Sequence, residues 1–459
     1  MAVLPESLLA GRVAGLAVSP LDPATRERLA QALLDWFTAG WSGAPAPLAS
    51  RFRTVALDCH PGAGPAPTFG GPVTSVPAAA FANGAIAHIR EIDDAHRAAM
   101  LHPGVVAVTP VMALAYDGQL TRRRMADAVL AGYEVALRVG EAMGTRHAAG
   151  FHATATAGTL GAAAASAMAL GLPENALHHA LGLGATQAQG LWQLMEDGAQ
   201  ESKSLHPALA VRNGLTAAWA ARAGLPGARA FVTGKRGLYA MLSGDGPLEA
   251  LTVDLDGPLR LHTATIKAWP CCAQLFTPLD AAQELLSTHS PDVATIREVE
   301  VAIFPHALKI AGVDWPARPA ETSFSLRYVL AVLLLRGRLT IEDMEAPCLD
   351  DPGLRDLADR IVIKTEEAFQ REFPNRRPSI VTFSMADGSR LSARRDLRRG
   401  DPEDPFDWGQ LRARMRAFAP SMDDSTAQAI NDWCMAFADP ARDGEPAAPP
   451  PRLFGVVPA

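Results

Sequence analysis

A mainly α-helical fold with a second, α+β domain is what this sequence predicts, on three observations. From about Pro5 to Ala230 apolar residues recur with helical spacing, interrupted by short Gly and Pro turns. After Lys267 the texture changes to alternating, β-rich runs. Beyond Gly400 helical spacing returns, so that this last segment can fold back on the first domain.

Residues 25–37 and 122–143 show the helical spacing most clearly. Pro173 after Gly171 ends one helix and starts another, which gives consecutive helices at 156–170 and 174–189. Their Ala and Gly content allows close helix approach. Residues 296–304 alternate as a strand, 360–365 offer a second, and 379–385 with 389–394 flank Ala386-Asp387-Gly388, where Asp-Gly suits a tight hairpin turn. With helices at 324–335 and 351–359, this part reads as helices on one face of a mostly antiparallel sheet. Helices follow at 408–417 and 425–437, and the Pro-rich tail from 439 reads as irregular. The expected domains are a helical first part at 1–265, an α+β domain at 266–399 and a helical segment at 400–459. No fixed-period repeat is present.

With 459 residues, 48% of them apolar, the chain can bury a large core in two or three domains. A net charge of -7 without a basic stripe argues against nucleic acid and anionic membrane as partners, while small anions can still be bound locally. Residues 1–7 lack the basic and apolar regions of a secretory peptide, so a cytoplasmic protein is expected. The weakly polar stretch at 157–172 is too short and too Ala-rich for a membrane span. Cys59, Cys271, Cys272, Cys348 and Cys434 are odd in number and lack metal-type spacing, which argues against disulfides and zinc and for a reducing compartment. Adjacent cysteines bridge only with strain, so Cys271 and Cys272 read as small buried groups.

Chemistry concentrates in four blocks. They are Asp93 to His102, Gly150 to Thr156, Glu196 to Pro207, and Ile266 to Cys272. Each sets a His, Lys or Cys beside a turn-forming residue, where loops present side chains to ligands. Each also has an ordinary structural reading. Asp93 and Asp94 can cap or solvate a helix end, His102 can be a loop histidine, His152 can cap, Lys203 can be solvated, and the Lys267 stem can pack on Trp269. His152 stands out because it precedes an Ala/Thr/Gly helix whose N-terminus attracts anions. Zinc-helix and Walker motifs are absent, Gly182 to Thr186 lacks the strand a dinucleotide fingerprint needs, and His178 and His179 point about 100° apart on a helix and cannot chelate together.

In their order these blocks closely resemble the MmgE/PrpD family, which includes 2-methylcitrate dehydratase, cis-aconitate decarboxylase and iminodisuccinate epimerase. The resemblance spans nearly the whole chain. It is most specific at Phe81 to Gly84 through Asp93, Asp94, His102 and Pro103, at Gly150 to His152 through Gly158 to Gly161, at Lys203 through Leu205 to Pro207, and at Lys267 through Pro270 to Cys272. It implies a large helical domain formed by both chain ends, a smaller α+β lid domain, an active site in the cleft between them, and a homodimer.

The same resemblance implies Asp93, His102, His152, Lys203 and Lys267 as catalytic residues, with Asp94, His206 and Cys272 binding substrate, and neither metal nor cofactor. The expected function is a metal-independent lyase or isomerase acting on a small di- or tricarboxylic acid, 2-methylcitrate dehydratase-like or iminodisuccinate epimerase-like. The alternative is a catalytically silent homologue that binds a carboxylate metabolite. His102 and His152 are the expected general base and acid, in an order the residues leave open. The two lysines would clamp carboxylates and stabilise developing negative charge, and Asp93 would orient an imidazole or take a proton. Four departures from the family pattern weigh against cis-aconitate decarboxylation and leave specificity open: Ala95 in place of a hydroxyl residue, Glu91 in place of Asp, and Cys272 and Phe276 in place of histidines.

Overall fold

The computed structural model describes residues 3–118, 120–345 and 348–456. Met1, Ala2, the Cys348 side chain and the last three residues of the tail lie outside the described residues. The described chain divides into two compact units, one made of residues 1–89, 93–264 and 408–459, the other of 90–92 and 265–407.

The first unit is helical. Its helices that matter here are α1 (Pro23–Gly43), α2 (Val76–Ile86), α3 (Pro103–Leu114), α4 (Arg122–Gly150), α5 (Ala153–Ala169), α6 (Glu174–Ala185) and α7 (Leu205–Arg222). Asp22 caps α1 by accepting from the Thr25 N–H at 2.9 Å. All of α5 is buried, and it packs between α4 and α7 with α3 and α6 beside it. Only small side chains permit that. A Cβ on Gly214 of α7 would stand 2.5 Å from Ala162 Cβ and 2.6 Å from the Ala163 nitrogen.

Helix α4 runs past the expected end at 143 because the chain turns at Gly144, with φ 79°, and resumes to Gly150. A Cβ there would stand 2.4 Å from both Asp245 Oδ1 and the Gly246 nitrogen, so the crossing segment needs glycine twice over, for space and for backbone angle. Residues 223–264 carry Gly or Pro every few positions and form short turns instead of long helices. The last part of this unit comprises helices Trp408–Phe418 and Asp424–Met435 and short turns in the tail.

The second unit is α+β. Helix α8 (Phe276–His289) packs on a four-stranded sheet of β1 (Ile296–Ile303), β2 (Ile361–Thr365), β3 (Ser379–Met385) and β4 (Arg390–Arg395), in spatial order β2-β1-β3-β4. The β1/β3 and β3/β4 pairs are antiparallel and β1/β2 is parallel. A parallel pair needs a long crossover, which here contains the helices Leu326–Arg336 and Pro352–Asp359. The hairpin turns at Gly388, φ 88°, with Asp387 accepting from the Ser389 N–H. The chain is thus mainly α with an α+β part, as the sequence implies. No described helix is long and apolar enough to cross a membrane.

Close packing of α5 on α7 makes a direct prediction. Gly214→Ala should destabilise the protein by about 2 kcal/mol through overpacking, seen as a lower urea midpoint at unchanged slope. An unchanged midpoint would mean the two helices are not locked at this distance.

Candidate active site

Helix starts place the key side chains in the first unit. His102 is the N-cap of α3, followed by Pro103, whose fixed φ suits the first helical position. His152 is the N-cap of α5. Lys203 lies in the short turn Gln200–Ser204 that leads into α7, and His206 is in the first turn of α7. His88 follows the C-terminus of α2. Because α2, α3, α5 and α7 pack together through small residues, these ends meet.

Hydrogen bonds fix most of the protons. Lys203 Nζ lies 2.8 Å from His88 Nε2, and His88 Nδ1 lies 2.8 Å from Asp93 Oδ2. An ammonium only donates and a carboxylate only accepts. His88 must therefore be the neutral Nδ1–H tautomer, bridging a buried cation and a buried anion. His102 Nδ1 donates to the Asp94 carbonyl at 2.9 Å and is 3.4 Å from Asp93 Oδ2. Asp93 thus faces two imidazoles, and His102 can hold positive charge beside it.

His152 differs. Its Nδ1 meets His206 Nδ1 at 3.1 Å, and Trp192 lies against its ring at 4.6 Å between centroids. Burial, and then the positive charge of Lys203, hold His152 well below its ordinary pKa. The same two causes lower His206 to about 4. Both rings are neutral at pH 7.

Asp94 is placed differently from the substrate contact expected of it. Its Oδ1 accepts from the Gly104 N–H at 2.7 Å and its Oδ2 from the Tyr133 hydroxyl at 2.6 Å, while its own N–H donates to Asp35. Asp35 in turn pairs with Arg414 at 2.8 Å. Burial and the neighbouring Asp35 push the Asp94 carboxyl up to about 7. Asp94 is scaffold, and it reaches the cluster through its backbone carbonyl. Local sequence missed this because Asp35, Tyr133 and Arg414 are far away in the chain.

One ring nitrogen each from His88, His102 and His152 lie within 4.8 Å of one another, a set among the described residues that could hold a metal ion. It fits one poorly. Lys203 occupies His88 Nε2 and Asp93 occupies Nδ1, so a cation would have to displace an ammonium. A helix-end cluster carrying a lysine suits a carboxylate better.

The other expected residues belong to the second unit. Lys267 is fully buried, with Nζ 2.7 Å from the Glu91 carbonyl and 3.4 Å from Glu91 Oε2. Glu91 sits at φ 56°, an uncommon backbone angle for a side-chain-bearing residue. The Cys272 N–H donates to the Ser323 carbonyl, and burial pushes the neighbouring Cys271 thiol well up. Neither cysteine is in a disulfide, and Phe276 is wholly buried. His88 and Trp192 were missed by the sequence reading. His88 stands five residues before Asp93, just ahead of the first block, and that proximity is its available signal.

A depressed histidine leaves a signature in stability. Above pH 6.5 folded and unfolded His206 are both neutral. Between 6.5 and 4 the unfolded imidazole takes a proton that the folded one refuses, so stability falls with pH, by about 3 kcal/mol at full extent. Asp94 works in the opposite sense, so the measurement is a comparison. The fall in melting temperature from pH 7 to pH 5 should be smaller in His206→Asn than in the parent chain, and equal falls would contradict the assignment.

Comparison with known proteins finds likeness along most of the chain. Residues 7–251 match the MmgE/PrpD N-terminal domain and residues 269–436 the MmgE/PrpD C-terminal domain. The chain is 25% identical over 446 residues to a cis-aconitate decarboxylase of Aspergillus terreus, covering 91% of this chain and 90% of that one. It is 24% identical over 379 residues to the cis-aconitate decarboxylase of Homo sapiens, covering 75% and 73%. It is 27% identical over 153 residues to the 2-methylcitrate dehydratase of Salmonella typhimurium, covering 32% and 30%. Decarboxylases and dehydratases are both lyases. With the two domain matches spanning most of its length, this chain belongs to the MmgE/PrpD family.

Proposed function

We propose that the chain is a lyase or isomerase that acts on a small di- or tricarboxylic acid by acid–base chemistry without a metal. The observation that supports this most is the pair of contrasted imidazoles. His102 stands beside the Asp93 carboxylate, whereas His152 is buried away from it and held neutral. Environments that push two titratable groups apart assign acid and base. His102 takes the role of acid, its positive charge balanced by Asp93. His152 takes the role of base.

Lys203 supplies the fixed positive charge that a carboxylate or an enolate-like intermediate requires, and the starts of α3 and α5 add partial positive charge. Through His88 its charge is tied to Asp93, which orients the ammonium without neutralising it. Lys267 and Cys272 are proposed as further substrate contacts on the family resemblance. Dehydration and epimerisation fit this set because each has one group take a proton from carbon and another deliver one, and decarboxylation fits because the carbanion left by loss of CO2 needs a charge stabiliser and a proton donor.

The test is product analysis by NMR with 2-methylcitrate, citrate, cis-aconitate and iminodisuccinate, followed by kinetics on the acid that turns over. Lys203→Ala should lower kcat by about 10²–10³-fold and His102→Asn by about 10²–10⁴-fold. Full turnover in both variants would refute the site. Saturable thermal stabilisation by one acid with no product would favour a silent binding homologue instead.

A further inference from the structure

His206 has no place yet in the acid–base scheme, although it touches the proposed base. Its Nδ1 is 3.1 Å from His152 Nδ1. Two like nitrogens at this distance bond only when one carries a proton and the other a lone pair. With both rings neutral, the tautomers must be opposite: the ring that donates at Nδ1 has its lone pair at Nε2, and its partner has Nε2–H. The His152 ring is held for this contact. Trp192 lies against it and donates its indole N–H to the Ala148 carbonyl, while the His152 backbone N–H donates to the Gly190 carbonyl.

We propose that His152 and His206 share one proton between their Nδ1 atoms, and that His206 takes it whenever His152 accepts a proton from the substrate. His206 is thus a positioning residue that makes His152 a base. This rests on the acid–base reading of the cluster.

The step balances within the protein. His152 starts with Nδ1–H donated to His206, and His206 starts with Nε2–H. The substrate C–H bond breaks, its electron pair stays on carbon, and its proton bonds to His152 Nε2. The His152 Nδ1–H bond breaks as the His206 Nδ1–H bond forms. His152 ends neutral with Nε2–H, and the positive charge rests on His206. Because burial and Lys203 disfavour a charged His206, the proton returns readily once the intermediate has reacted. His206 therefore acts by receiving charge that would otherwise sit on His152, beside the substrate.

Two measurements on the full chain test this. In the first, 15N-histidine NMR near pH 7 reads the tautomers, with signals assigned through His206→Asn. His152 is expected as the Nδ1–H ring and His206 as the Nε2–H ring. The reverse assignment, two Nε2–H rings, or a cationic ring would overturn the proposal whether or not any acid turns over, so its failure is separable from that of the functional reading. In the second, His206→Asn keeps a side-chain donor and acceptor near the Nδ1 position but cannot take a proton. It should lower kcat by about 10²-fold at near-constant KM, with no rescue relative to His206→Ala. Full kcat in His206→Asn would show that holding His152 is enough and would overturn the relay.

Discussion

The cluster depends on burying one ammonium and one carboxylate with a neutral imidazole between them. Taking either ion out of water alone costs several kcal/mol. Lys203, His88 and Asp93 offset that cost by hydrogen-bonding in line, each bond charge-assisted. Fixing the tautomer of His88 is the consequence. Removing any one member breaks a charge-assisted bond to a buried ion, so the three act as a unit and not as independent contributions.

Positions around that unit come from helix packing. Ala and Gly on α5 let α4 and α7 approach so closely that the ends of four helices meet. A helix interior built of small residues has few rotamers to lose and little room to shift, so the positions of its ends are fixed. The second layer is electrostatic. Asp94, Tyr133 and Asp35 lock the loop before α3 from behind, and the His102 ring hangs from the Asp94 carbonyl. The same dry surroundings that fix these groups also keep His152 and His206 neutral.

Much of this was legible in the sequence. Helical spacing at 25–37 and strand alternation at 296–304 found their elements, and Asp387-Gly388 found its hairpin, because each signal is local. Gly144 was not read as a break, since its need arises where the distant 245–246 segment crosses. Among the site candidates, Asp93, His102, His152, Lys203 and His206 share one cluster. Asp94 looked equivalent to Asp93 as its neighbour, but successive residues point apart, and long-range partners decided which way each faced. His88 was passed over because an imidazole just after a helix end carries no local mark of its role; only its contacts with Lys203 and Asp93 show it.

The most direct test of the central claim is deuterium incorporation from D2O at the carbon next to a carboxylate, followed by NMR, in small di- and tricarboxylic acids incubated with the protein. Proton abstraction by His152 and delivery by His102 predict incorporation into recovered substrate or product with at least one acid, lost in Lys203→Ala. An acid that binds saturably yet gains no deuterium and yields no product would contradict acid–base catalysis by this cluster.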